Sequence, residues 1–243
     1  MPPLDQPGTA ESYAVTPRNR VKRRPQRGFY DHETVHSVLD SAMVAHIAYT
    51  IDGQPYCTPT GFWREGEHLY WHGSSASRMV RAQAEGIPVC LTVTHLDAVV
   101  LARCGFNHSV NYRSAMVYGR TFAVKAPAKK LVLMDQFLDR YFPGRAALMR
   151  PATVQETKAT TFIGMEIEQA SAKIRDLGPH DDEADLAVPA WTAMYRIRQV
   201  IEGIEECEQQ IPGLKMPKEM KPWARGKRLD DVLLETAKLY ETE

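Results

Sequence analysis

The sequence has no excess of either charge, no cysteine pairing motif and no long apolar run, and each absence removes a class of function. Basic and acidic side chains number 30 each in 243 residues, so no net field draws the chain to nucleic acid and any anion recognition must be local. The four cysteines, Cys57, Cys90, Cys104 and Cys207, stand far apart without a C-x-x-C pair, which argues against zinc ribbons and thioredoxin-like chemistry. No stretch approaches transmembrane length and no secretory signal is apparent, so the default expectation is a cytoplasmic protein with no membrane partner. Walker, G-x-S-x-G and G-x-G-x-x-G motifs are missing as well. Kinase, α/β-hydrolase and Rossmann readings lose their support.

What is present describes one substantial core with extensions. Residues 1–17 are polar and read as a disordered leader, 18–200 as the main domain, and 201–243 as a Pro-rich extension ending in a helix. A basic arm over 18–27 reads as solvated or lying across a partner subunit. A short helix is expected over 31–42, capped by Asp31, with Val35, Val38, Leu39 and Ala42 on one face. A hairpin follows, 45–51 and 56–63 joined at Asp52-Gly53. Strands are expected at 69–72, 89–94 and 98–102, and a long one at 111–125 in which Gly119 marks a bulge or bend. A helix over 74–85 precedes Gly86 and Pro88. Pro127 opens another whose Leu131, Met134, Phe137, Leu138 and Tyr141 should cover a barrel face before Pro143-Gly144 ends it. Residues 160–174 read as one strand, the acidic run 181–185 as a solvated loop, and 229–240 as a docking helix. Many short strands with few helices predict a barrel-like α+β domain.

Two segments suit a ligand. His72-Gly73-Ser74-Ser75-Ala76-Ser77-Arg78 leaves a strand and opens a helix, offering backbone N–H groups, hydroxyls and a guanidinium. That is a sensible phosphate cradle, although serine-rich turns also cap helices without binding anything. Asn111-Tyr112-Arg113-Ser114 offers amide, ring, cation and hydroxyl for a heteroaromatic edge and face, with ordinary cross-strand pairing as the alternative. His32-Glu33-Thr34-Val35-His36 is a literal H-E-x-x-H, but no third ligand follows it in sequence, and no metal is expected.

Taken in order, "YDHETVHSVLDSA", "HIAYTIDGQPYCTPTGFW", "LYWHGSSASRM" and "HSVNYRSAMVYGR" resemble the pyridoxamine 5'-phosphate oxidase-related flavin-nucleotide-binding proteins, nitroimidazole-reductase-like branch. The resemblance runs from about residue 18 to 191. It implies an FMN-binding split β-barrel homodimer with one FMN in each cleft between subunits. Thr58, Pro59, Thr60, His72, Gly73, Ser75, Ser77 and Arg78 would hold the phosphate and one flavin edge, and 111–114 would line the same cleft. His72 matches a histidine singled out near the flavin and is the candidate for facing substrate. Met79 stands where the oxidases proper carry a lysine, and their C-terminal Arg and His motif is absent, which weighs against vitamin B6 oxidation. The implied activity is reduction of a small electrophile, a nitroaromatic or another flavin, with electrons from NAD(P)H. A non-catalytic flavin carrier and a haem- or deazaflavin-binding protein are the alternatives.

Overall fold

The computed structural model describes residues 11–242. In chain order the elements are β1 (Gly28–Phe29), α1 (His32–Asp40), β2 (Val44–Ile51), β3 (Gln54–Glu65), β4 (His68–Ser74), α2 (Arg78–Ala84), β5 (Pro88–Leu101), β6 (Ser109–Val124), α3 (Pro127–Tyr141), α4 (Val154–Ala159), β7 (Thr160–Glu166), β8 (Gln169–Arg175), β9 (Ala193–Arg196) and α5 (Leu229–Thr242). Strands run in the order β1-β8-β6-β7-β4-β3-β2-β5-β9, and a further β6–β5 pairing closes six of them into a ring. The result is the barrel that the sequence pattern predicts, in the split form that the family resemblance implies.

Local chemistry accounts for the ring. Asp52 and Gly53 both adopt positive φ, 49° and 78°, the geometry of a two-residue turn whose twist matches the flanking strands. It joins β2 to β3 in unbroken register from Val44↔Gly61 to Ile51↔Gln54. The expected strands 89–94 and 98–102 are one strand, β5, whose register against β6 shifts between Leu96 and Ala98. Residues 160–174, expected as one strand, lie along one edge of β6 as β7 and β8, with the register stepping by one residue between them. Gly119 sits at that step, where β6 exchanges β8 for β7. A Cβ there would overlap the Glu166 carbonyl oxygen and lie 2.7 Å from Met165 Cγ. The glycine therefore serves close backbone approach at a bend, and the bulge falls on β5.

The barrel interior is filled by Ile47, Leu69, Trp71, Leu91, Val117, Ile163 and Met165, with Val35, Val38 and Leu39 of α1 entering the same cluster. A second cluster, Trp63, Tyr70, Leu133, Tyr141, Phe162 and Leu233, lies under α3 and α5. Leu133 and Tyr141 are the buried apolar residues of α3, whereas Leu131 is 40 % exposed. Of the stripe expected at Leu131, Met134, Phe137, Leu138 and Tyr141, Met134, Phe137 and Tyr141 meet this cluster, joined by Leu133, and Leu131 faces outward. Between the clusters, the Asp40 carboxylate receives Arg64 Nε at 3.1 Å on each oxygen, and Arg140 lies 3.2 Å away. Asp40 and Arg140 are 8 % and 3 % exposed, so each charge relies on the others for solvation.

The ends are better ordered than their composition suggests. Residues 1–10 of the expected leader lie outside the described residues. From Glu11 the chain is placed: Tyr13 is buried, and its N–H donates to the Tyr30 carbonyl. The basic arm lies on its own barrel: Asn19 donates to the Ala170 carbonyl and Arg18 pairs with Glu168. Asp181, expected in a solvated loop, has its side chain shielded and accepts from the N–H and guanidinium of Arg103 at 2.8 and 3.0 Å. The C-terminal α5 docks through Val232, Leu233, Thr236 and Ala237. No helix among the described residues is long and apolar enough to cross a membrane.

Replacing Gly119 by alanine forces the β6 bend open and should cost about 1–3 kcal/mol by overpacking. Gly105→Ala, where an added Cβ meets nothing within 4 Å, should stay within about 0.5 kcal/mol. Urea denaturation of both variants checks this, and equal midpoints would refute the close-approach role.

Candidate functional site

The site begins where β3 parts from β4. These strands pair only over four positions, from Phe62↔Trp71 to Glu65↔His68, while β4 continues along β7 as far as Ser74↔Thr160. Residues 54–61 of β3 thus pair with β2 on one edge and leave the other open, with Thr58, Pro59 and Thr60 at the opening. The Thr58 hydroxyl meets Tyr49 Oη at 3.1 Å. Tyr49 and Tyr56 stack, ring centroids 5.6 Å apart.

The turn after β4 faces this opening because α2 is clamped to the barrel. Trp71 Nε1 donates to Gln83 Oε1 at 2.8 Å, and the Thr121 hydroxyl donates to the Gln83 carbonyl at 2.6 Å. Gly73 permits the clamp, since a Cβ there would meet Val80 Cγ2 at 2.9 Å. Within the turn, Ser75 N–H goes to the Ala159 carbonyl and Ser77 N–H to the Ser74 carbonyl, while Ala76 N–H goes to Ser74 Oγ. The backbone donors expected to cradle a phosphate are largely committed to holding the turn.

The side-chain donors are not. Ser77 takes the N-cap position of α2 without a capping hydrogen bond. Arg78 is exposed and lies over the Tyr56 ring at 4.4 Å, bridging the gap from α2 to β3. Among the described residues no carboxylate pairs with it. A guanidinium held in place by an aromatic face, with its N–H fork free and hydroxyls beside it, suits a phosphate.

His72 has a different setting. Its ring sits among Trp63, Phe137 and Phe162, at centroid distances of 6.3, 5.2 and 5.3 Å. Nδ1 is buried with no hydrogen-bond partner. Burial pushes its proton affinity down, so the imidazole is neutral near pH 7.

The segment 111–114 is not brought to this turn within one chain. Phe162 aligns both His72 and Val124 in the sheet, and Arg113 lies roughly 35 Å farther along β6 at about 3.3 Å per residue. Asn111 requires correction as a ligand residue. It is fully buried, its oxygen accepts from Arg175 and from Leu177 N–H, and its NH₂ reaches Asp176, Leu177 and Met194. Arg113 is likewise engaged, forking onto Asp97 at 2.9 and 3.0 Å and reaching Asp230 of α5 at 2.9 Å. Ser114 donates to the Lys173 carbonyl, and Tyr112 is half-buried. Sequence reasoning also missed a cavity of about 700 Å³ beside α3, walled by Leu131, Met134, Leu138 and Met149 with Arg150 at its edge. The i, i+3, i+7 spacing that was assigned to the core was its signal.

This barrel, with its open seam beside a serine- and arginine-bearing turn, defines a split-barrel flavin-binding protein. The sequence profile described as pyridoxamine 5'-phosphate oxidase matches residues 31–174, and the chain belongs to that family. Among solved structures it is similar to the flavocytochrome Anf3 from Azotobacter vinelandii, with 37% identity and a TM-score of 0.81 over 87% of this chain and 98% of the other. It is also similar to an FAD- and haem-binding protein from Mycobacterium smegmatis, with 31% identity and a TM-score of 0.78 over 84% and 98%. A Bacteroides thetaiotaomicron protein ascribed to 5-nitroimidazole antibiotic resistance shares the fold, at 18% identity and a TM-score of 0.50 over 60% and 86%. A search of curated proteins gives no match.

The half-buried, neutral His72 makes folding pH-dependent. A group whose folded pKa lies below its ordinary value of 6.5 contributes stability that is complete above that value and lost as pH falls through the folded pKa. In cofactor-free protein, His72→Leu should therefore lose less stability between about pH 7.5 and 5.5 than the parent. Equal losses in urea titrations would show that His72 charges freely in place.

Proposed function

We propose that this protein is a flavin-dependent redox protein of flavocytochrome type that passes electrons from a reduced donor, NAD(P)H, to a small electrophile such as a nitroaromatic or another flavin. The observation that carries this reading is the similarity, over nearly the whole of both chains, to a protein named as a flavocytochrome. Ser75, Ser77 and Arg78 hold the flavin's phosphate, and Thr58, Pro59, Thr60 and Gly73 flank one edge of its ring. Tyr112, half-buried at the start of β6, reaches the same ligand from a second copy of the chain, which makes a homodimer part of the reading. Bound there, the flavin supplies the electron-transfer chemistry, and the chain supplies position and electrostatics. The similarity to a protein that binds FAD favours FAD over the FMN expected from sequence.

That relative also binds haem, and one feature of this chain supports the same here. A neutral imidazole with an unpartnered ring nitrogen inside an aromatic surround would suit a haem iron. His72 is therefore the residue assigned to the iron, a different role from the substrate-facing one implied by the family resemblance.

Chromatography of the chromophores released from protein purified without added cofactor identifies the flavin, and size measurement in solution reports the dimer. Arg78→Ala should weaken flavin binding at least about tenfold, a loss near 1.4 kcal/mol, with little change in apoprotein melting. Unchanged affinity would remove the phosphate role. His72→Ala should abolish the haem Soret band while flavin content persists; a full, unshifted band would exclude His72 as ligand. Steady-state NAD(P)H oxidation by the loaded protein separates an enzyme from a flavin carrier.

A further inference from the structure

The H-E-x-x-H of α1 has no third ligand in sequence, but folding brings one. Glu67, in the turn from β3 to β4, places Oε1 3.2 Å from His32 Nδ1 and 3.3 Å from His36 Nε2. One ligand atom from each of the three residues lies within 4.8 Å of the others. Zinc with bonds of about 2.0–2.1 Å in tetrahedral geometry separates its ligand atoms by roughly 3.4 Å. Two of the three edges thus already have that length, and a small rotation of one ring closes the third.

The surroundings orient this set. Tyr13 stacks on His32, ring centroids 4.1 Å apart and planes 23° from parallel. Its hydroxyl donates to Glu67 Oε2 at 2.6 Å, which fixes the carboxylate with its other oxygen towards the two imidazoles. A ligand carboxylate held by a neighbouring donor is the usual outer layer of a metal site. The side chains of His32, His36 and Glu67 are 23%, 16% and 41% exposed, so an ion can enter and keep water in its remaining position.

We propose that His32, His36 and Glu67 form a binding site for one divalent ion of the zinc class, covered on one side by Tyr13. The ion links α1, the β3–β4 turn and the segment carrying Tyr13, and its role is structural. On binding, His36 exchanges its 2.8 Å contact with the Tyr13 hydroxyl for the metal. Glu33, the general base of a zinc protease bearing this motif, is exposed and makes no hydrogen bond or ion pair with the three residues. The site is therefore assigned to binding and not to hydrolysis, and it stands independently of the flavin reading.

The test uses untagged, chelator-treated full-length protein with its native cofactor content, titrated with Co²⁺ and then Zn²⁺. One equivalent of Co²⁺ should give intense visible d–d bands that Zn²⁺ abolishes. Zinc should bind tighter than about 10 μM, and at 100-fold excess over its dissociation constant should raise stability by about 2.7 kcal/mol. His36→Gln and Glu67→Gln, on separate elements, should each weaken zinc at least tenfold with flavin content and circular dichroism unchanged. Tyr13→Phe keeps the stack and should weaken it less. Zinc binding weaker than about 10 μM, or retained in both folded Gln variants, would overturn the proposal and leave a hydrogen-bonded cluster that fastens Tyr13.

Discussion

The structure depends on satisfying both edges of β6. A strand of 16 residues presents a long row of N–H and C=O groups on each side, and within a barrel wall each row needs partners. One edge is met by β5 over almost its whole length. The other is met by β8 and then by β7, with the exchange at Gly119. That exchange turns a sheet into a ring, because β7 belongs to β4 and β3 while β8 carries β1. The short β3–β4 ladder is the consequence at the far side: β4 follows β7, β3 follows β2, and a seam opens between them.

The seam is where chemistry concentrates, and the two ligand-like segments differ there in what their polar groups already do. Around the turn after β4, the backbone is committed to holding the turn, while Ser77 and Arg78 retain donors with no protein acceptor. At the start of β6, Asn111 and Arg113 look richer in sequence, yet their amide and guanidinium are saturated by Arg175, Leu177, Asp97 and Asp230. A polar group that is buried and fully bonded stabilises the fold and has nothing left for a ligand. His72 is intermediate: half-buried, neutral and bonded to nothing through Nδ1.

Local patterns were readable because their causes are local. The Asp52-Gly53 turn follows from which residues tolerate positive φ. The start of α1 follows from Asp31, whose carboxylate accepts from Thr34 N–H at 2.7 Å. Pro127 fits the first turn of α3, where a missing N–H costs nothing. The errors have a common origin in contacts from distant parts of the chain. Leu131 has the spacing of the core stripe that Met134, Phe137 and Tyr141 form, but it faces outward and Leu133 fills the cluster under α3 in its place. Residues 11–17 have a disordered composition, yet Tyr13 finds a cavity between α1 and the β3–β4 turn.

The sequence by itself determined the alternation of strands and helices, the position of their turns and the family to which they belong, because side-chain period, φ preference and motif order are properties of neighbouring residues. Only the tertiary structure decided which candidate side chains remain free. Arg78 and Arg113 are both arginines beside serines; one lies on Tyr56 with its fork open, and the other is held between Asp97 and Asp230. It also decided that Glu67 meets His32 and His36 across 31 residues or more of chain. Such outcomes turn on hydrogen-bond partners and ligand distances set by packing across the barrel, and no sequence spacing encodes them.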